Sequence, residues 1–274
     1  MSLIFLSILV LVLIACIVEI ILYFASQRYS VAEETQISSI EDVLPGINCG
    51  SCGYVTCKAF AEACVSAESL SGLSCPIGGQ EVMFKVYDIL GKEQITIQPT
   101  IAVVRCNGTC ENREYVNKYN GAPSCAIASI TYSGETKCSY GCLSFGDCVS
   151  VCKFDAIHIN SHTLLPEVDE EKCTSCGDCV NACPKSIIEI RKKGSDSHRI
   201  YVDCVNKDKA VEAESACKVA CISCSKCEKA CAYEAITIFD NLAYINDDKC
   251  CLCRKCISVC PTRAIVEIGF STIK

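Results

Sequence analysis

The sequence predicts an α+β chain headed by a single N-terminal transmembrane helix. Three observations carry that prediction. An apolar stretch opens the chain, 28 cysteines crowd its 274 residues, and four cysteine runs are each followed by a turn and a short apolar–polar alternation typical of half-buried strands.

The opening stretch, Leu3 to Phe24, is apolar apart from Ser7 and Glu19. A helix of that length reaches roughly 33 Å, enough for a bilayer core. Residues 1–6 hold no Lys or Arg and Glu19 lies inside the stretch, unlike a cleaved signal peptide. Residues 1–28 therefore read as a retained anchor. Arg28 just beyond the helix favours a cytoplasmic carboxyl side, which makes this a single-pass chain of the cell (inner) membrane. Glu19 reads as an interfacial carboxylate that snorkels or pairs with a partner helix. One helix encloses no aqueous path, so ion movement would belong to other subunits.

Residues 29–98 are expected to hold a polar linker, at 29–40, and a small helical domain. Cys49-Gly-Ser-Cys52-Gly-Tyr-Val-Thr-Cys57 and Cys75-Pro76 bracket a helical pattern at 58–67, and a second helix follows at 81–90. Glycines beside the cysteines permit the φ > 0 turns that aim N–H groups at sulfur. Cys49, Cys52, Cys57 and Cys75 are the expected ligands of one [4Fe–4S] cluster. Cys64, within the first helix, reads as a small buried hydrophobe.

Two further domains, 99–200 and 201–274, each carry a pair of runs. Cys173, Cys176, Cys179, Cys183 and Pro184 form C-x2-C-x2-C-x3-C-P, the signature of bacterial [4Fe–4S] ferredoxins. Cys221, Cys224, Cys227 and Cys231 repeat the spacing, as do Cys250, Cys253, Cys256 and Cys260. The prediction is thus a small helical [4Fe–4S] domain, then tandem bacterial ferredoxin-like two-cluster modules. In such modules the fourth Cys of one run ligates the other run's cluster. Cys260 then joins Cys221, Cys224 and Cys227; Cys231 joins Cys250, Cys253 and Cys256; Cys152 joins Cys173, Cys176 and Cys179. The earliest run departs from the pattern, with Phe145 where a Cys belongs, and Cys138 is the expected substitute beside Cys142, Cys148 and Cys183. These assignments use 20 of the 28 cysteines in five clusters. A sixth site is open among Cys106, Cys110, Cys125, Cys204 and Cys217. Cys251 reads as a bystander, and Cys16 lies in the apolar stretch.

The net charge of −7, made more negative by thiolate-bound clusters, argues against nucleic-acid binding. Cluster spacing and the absence of a secretory cleavage site argue against disulfides; the scarcity of His and of paired knuckles argues against zinc. No GxGxxG, Walker lysine or Ser/His/Asp arrangement appears, so no catalytic residue is expected and neither flavin nor NAD has a home in this chain. Arg191-Lys192-Lys193 and the Lys207/Lys209 pair are candidate docking charges, although charge runs usually mark a solvated face.

An anchor helix, the Cys49–Cys75 unit and ferredoxin modules in that order resemble the B subunit of the Rnf complex across nearly the whole chain. The segments Val104–Cys110 and Lys137–Cys142 are similar to the longer forms of anaerobic bacteria. The resemblance implies a membrane ferredoxin:NAD+ oxidoreductase coupled to Na+ or H+ translocation. In it, this subunit takes electrons from soluble ferredoxin and relays them to membrane and flavin subunits, its clusters facing the cytoplasm. The alternatives are an iron–sulfur subunit of a hydrogenase or formate dehydrogenase complex, and a non-catalytic redox sensor.

Overall fold

The structure, a computed structural model, describes residues 2–94, 98–132 and 134–270, with side chains described outside 2–11, 24–33 and 195. It divides into two units, Met1–Thr96 and Ile97–Lys274.

The first unit is helical. α1 (Ser2–Val43) runs without interruption through the expected linker at 29–40. The physical reason is local: no Gly or Pro interrupts the sequence until Pro45-Gly46, and Ile40 and Leu44 are buried in the unit's core with Phe60, Leu70, Met83 and Tyr87. The expected transmembrane helix is not supported, because among the described residues no helix is long and apolar enough to cross a membrane. Side chains are described for only residues 12–23 and from 34 onward in α1; those at 3–11 and Phe24, within the expected span, lie outside the described residues. Val12, Leu13, Ile14, Ile17, Val18 and Ile20–Tyr23 are exposed.

α2 (Cys57–Ser66) begins where Thr56 Oγ1 accepts the Ala59 N–H at 3.0 Å, satisfying an orphan donor of the first turn. It ends where the Lys92 ammonium donates to the Cys64 and Ala67 carbonyls at 3.1 and 2.5 Å, a cation at the negative end of the helix. α3 (Gly79–Leu90) stops at Gly91, whose φ of 61° provides a left-handed cap.

The second unit is a duplicated pattern. β1 (Thr100–Val104) pairs antiparallel with β4 (Ile188–Lys192), enclosing the hairpin of β2 (Ile157–Ile159) and β3 (Pro166–Val168). Next, β5 (Arg199–Val202) pairs with β8 (Ile265–Ile268), enclosing the hairpin of β6 (Ile236–Phe239) and β7 (Leu242–Ile245). Each cysteine run ends in a short helix: α5 (Asp147–Ser150), α6 (Asp178–Ala182), α8 (Lys226–Ala230) and α9 (Lys255–Val259). Two helices lie outside the repeat, α4 (Cys125–Thr131) and α7 (Ala210–Ala216). The strands expected after each run are present, and β3, β5 and β7 are additional to the expectation.

Buried Arg side chains tie the two patterns together. Arg191, 2% exposed, donates to Glu189 at 2.6 Å, to the Ile245 carbonyl at 2.6 Å and to Asp247. Its guanidinium also lies over the rings of Tyr201 and Tyr244, a cation–π contact. Arg105 donates to Glu189 and to the carbonyls of Val202 and Cys204.

Candidate iron–sulfur centres

The four runs of the second unit share one backbone trace. Left-handed φ recurs at the same three places in each: Ser144, Gly146 and Asp155; Ser175, Gly177 and Ser186; Ser223, Ser225 and Glu234; Leu252, Arg254 and Arg263. Only two of these residues are Gly, so ten L-residues occupy a conformation that costs roughly 1 kcal/mol or more each. Alternating hands of backbone turn successive N–H groups inward into an anion-binding concavity. Some N–H groups reach sulfur: Ser144 N–H to Cys142 Sγ, and Ala156 N–H to Cys152 Sγ, both at 3.4 Å. In the first unit Gly78 N–H reaches Cys75 Sγ at 3.4 Å, and Asn48 Oδ1 accepts the Cys57 N–H at 2.7 Å, holding that loop against the start of α2.

The thiols gather in fours. Cys49, Cys52, Cys57 and Cys75 line one pocket of about 330 Å3. Cys152, Cys173, Cys176 and Cys179 line another of about 360 Å3. Cys231, Cys250, Cys253 and Cys256, with Cys251 beside them, line a third of about 330 Å3. Cys227 lies among Cys221, Cys224 and Cys260, whose charges act on it.

Two groupings differ from the expectation. Cys142, Cys148 and Cys183 share their pocket, about 360 Å3, with Cys125 and not with Cys138. The cause is Asp147. Its carboxylate accepts from the Cys125 N–H at 2.8 Å and from the Ala126 N–H and Ser124 hydroxyl at 2.9 Å each. It thereby fixes the start of α4 beside the run. Phe145 instead packs on Tyr119, with ring centroids 5.4 Å apart.

Cys138 joins Cys106, Cys204 and Cys217 around a further pocket of about 380 Å3. Asn206 serves this pocket twice, its N–H donating to Cys204 Sγ at 3.4 Å and its amide Nδ2 to Cys138 Sγ at 3.6 Å. The sixth site left open by the sequence therefore collects Cys106, Cys204 and Cys217 but neither Cys125 nor Cys110. Cys110 is exposed and donates to the His162 carbonyl at 3.0 Å. Cys64 is buried in the first unit's core, and burial raises its thiol to about 11. Cys16 is exposed.

The Arg191–Lys193 run is not a free positive patch. Arg191 is buried on Glu189 and Asp247, Lys192 pairs with Asp248, and Lys193 donates to the Glu170 carbonyl. Lys207 pairs with Asp240 at 3.0 Å, while Lys209 is exposed.

What these pockets suit follows from their donors. Among the described residues, no three His, Cys, Asp or Glu side chains converge closely enough to hold a single metal ion. The thiols instead ring spaces of similar size. Burial first, then the charge of neighbouring thiols, pushes Cys148 up to about 12 and Cys179 to about 11. At the fifth pocket, desolvation raises Cys106, which is part-buried, to about 12 and the buried Cys204 to about 11. Thiols so disfavoured as anions become ligands only when cationic metal enters with them. Thiols gathered in fours and N–H groups donating to sulfur fit a polynuclear iron–sulfur cluster.

Known proteins resemble the chain in sequence. Residues 44–73 match the family described as a putative Fe-S cluster, residues 165–188 a 4Fe-4S binding domain, and residues 220–264 a 4Fe-4S dicluster domain. The chain is 35% identical to the B subunit of the ion-translocating oxidoreductase complex of Methanosarcina acetivorans, over 90% of this chain and 92% of that protein. It is 39% identical to the B subunit of the Na(+)-translocating ferredoxin:NAD(+) oxidoreductase complex of Acetobacterium woodii, over 92% of this chain and 75% of the relative. It is 36% identical to the proton-translocating counterpart from Clostridium ljungdahlii, over 99% and 95%.

Proposed function

We propose a path for electrons through a chain that belongs to the family of ion-translocating oxidoreductase complex B subunits. The chain is an iron–sulfur electron-transfer subunit of a multi-subunit ferredoxin:NAD+ oxidoreductase of the Rnf type. The hydrogenase-subunit and sensor readings give way to that membership.

Our reading assigns six [4Fe–4S] clusters, and the observation that carries it is the gathering of 20 cysteines, Cys251 aside, around five pockets, with Cys221, Cys224 and Cys260 near enough for their charges to act on Cys227. Bound there, such clusters supply one-electron couples tuned by charge, hydrogen bonds to sulfur and exposure. The chain's own part is to hold and tune. Cysteine thiolates ligate; the N–H groups of Gly78, Ser144, Ala156 and Asn206 donate to sulfur; and Arg105 and Arg191 lock the two modules together. In this reading reduced ferredoxin delivers electrons to the modules of the second unit. The Cys49–Cys75 centre, nearest α1 in sequence, passes them to membrane and flavin subunits.

The exposed apolar side chains of residues 12–23 support membrane association through α1, and Arg28 favours the cytoplasmic side for the clusters. Release of the chain by an alkaline carbonate wash of membranes would remove that placement. The main test is iron content after anoxic purification. Roughly twenty-four iron atoms per chain, with visible absorbance bleached by reduced ferredoxin, is the expected result. Roughly twenty would strike out the quartet around Cys138, and a colourless chain would end the reading.

A further inference from the structure

Of the basic residues that the sequence marks as a docking patch, Arg191, Lys192, Lys193 and Lys207 are engaged by partners within the molecule, and their placement uncovers a different surface. Asp247 and Asp248 stand three and two residues before Cys250, where the last cysteine run begins. Both are engaged by the earlier module, Asp247 by Arg191 and Asp248 by Lys192. Beyond them, the stretch from Lys249 to Arg263 contains Lys249, Arg254, Lys255 and Arg263 and no carboxylate. Arg254 pairs with Glu267. Lys249, Lys255 and Arg263 are exposed, and among the described residues they make no ion pair with a carboxylate.

Two of these cations line an accessible thiol pocket. Arg254 and Lys255 line the same pocket as Cys231, Cys250, Cys253 and Cys256, and Cys253 itself is exposed. The earlier module differs: Asp178 lies inside the run Cys173–Cys183, and Asp169, Glu170 and Glu171 lead into it. A thiolate-bound cluster is itself anionic, so an acidic partner approaching it is repelled unless cations at the rim offset that charge.

We propose that the mouth of the pocket formed by Cys231, Cys250, Cys253 and Cys256, lined by Arg254 and Lys255 and preceded in the chain by the exposed Lys249, is where a small acidic electron-carrier protein docks. The proposal rests on reading the chain as an iron–sulfur electron-transfer subunit, and it supplies the surface that reading lacks. An acidic protein carrier is favoured over an anionic lipid surface because Arg254 and Lys255 line the same pocket as the exposed thiol of Cys253, a placement electron transfer requires and headgroup binding does not. The charges act in encounter: they orient the carrier and raise its association rate, and salt screens them.

The test compares the full chain with the double variants Lys249→Glu/Lys255→Glu and Lys249→Gln/Lys255→Gln, all purified without oxygen. The readout is the second-order rate of reduction by an acidic ferredoxin across a series of salt concentrations. Total bleaching by dithionite reports whether the clusters are intact. Charge reversal should lower the low-salt rate about tenfold or more and flatten its salt dependence, with bleaching unchanged. The Gln variant should fall between. An unaltered rate and salt slope in a fully bleachable variant overturns the proposal and leaves the electron-transfer reading standing. Absence of bleachable absorbance in the parent chain defeats that reading itself. Should charge reversal displace a cluster, the Gln variant decides by the same criterion. If the variants lose only a preference for phosphatidylglycerol over phosphatidylcholine vesicles, with the ferredoxin rate intact, the surface belongs to lipid and the proposal falls.

Discussion

In the module closing with β8, every thiol of both quartets comes from a cysteine run. In the module closing with β4, one quartet takes Cys125 from α4, outside the runs. The backbone barely registers the difference, because Ser144 and Gly146 flank Phe145 with the same left-handed φ that Ser175 and Gly177 show around Cys176. A thiol quartet is therefore specified by where sulfur can be delivered and not by an unbroken motif. The loop supplies the cradle, and a carboxylate on that loop, Asp147, imports the missing ligand by capping a neighbouring helix.

The largest expected effect breaks this comparison directly. Cys125→Ala should remove about four iron atoms per chain, and Cys110→Ala none. Adding Phe145→Cys to the Cys125→Ala chain should restore them by returning the motif to the pattern of its siblings. Full iron in the single Cys125→Ala variant, measured by metal analysis, would void the grouping.

A second expectation concerns what joins the modules. Arg191→Met leaves Glu189 and Asp247 facing each other across a buried site and should destabilise the loaded chain by about 3 kcal/mol. The check is the urea concentration at which visible absorbance falls by half. A single cooperative loss would show both modules yielding together, and an unshifted midpoint would show the contact to be idle.

The smallest effect sharpens the contrast at the helix starts. Gly146 and Gly177 precede α5 and α6, where Ser225 and Arg254 precede α8 and α9, all four at positive φ. Ser225→Gly should stabilise by less than about 1 kcal/mol, and Gly177→Ser should cost about 1 kcal/mol, both read from the same urea midpoints. Equal and opposite shifts are not expected, since glycine also loosens the unfolded chain.

Local features made much of this legible in sequence. The run spacing announces the quartets, and the alternation after each last cysteine announces β2, β4, β6 and β8. What escaped depends on residues far apart in the chain. Cys125 is placed by Asp147 across an intervening loop. Arg191 is buried because Asp247, 56 residues later, receives it. Cys138 is held at its pocket by Asn206. Residues 29–40 looked like a linker from polarity alone, yet Ile37 and Ile40 give α1 an apolar contact with its unit's core. Strand β3 is three residues long and begins with Pro166, too short for alternation to register.

The left-handed residues of the cysteine runs have a consequence for the life of the protein. Ten side-chain-bearing residues hold a left-handed backbone that the proposed metal–thiolate bonds would keep in place. Removal of a cluster would then leave its loop the first to open, so limited proteolysis of the iron-free chain should cut within the cysteine runs before the strands.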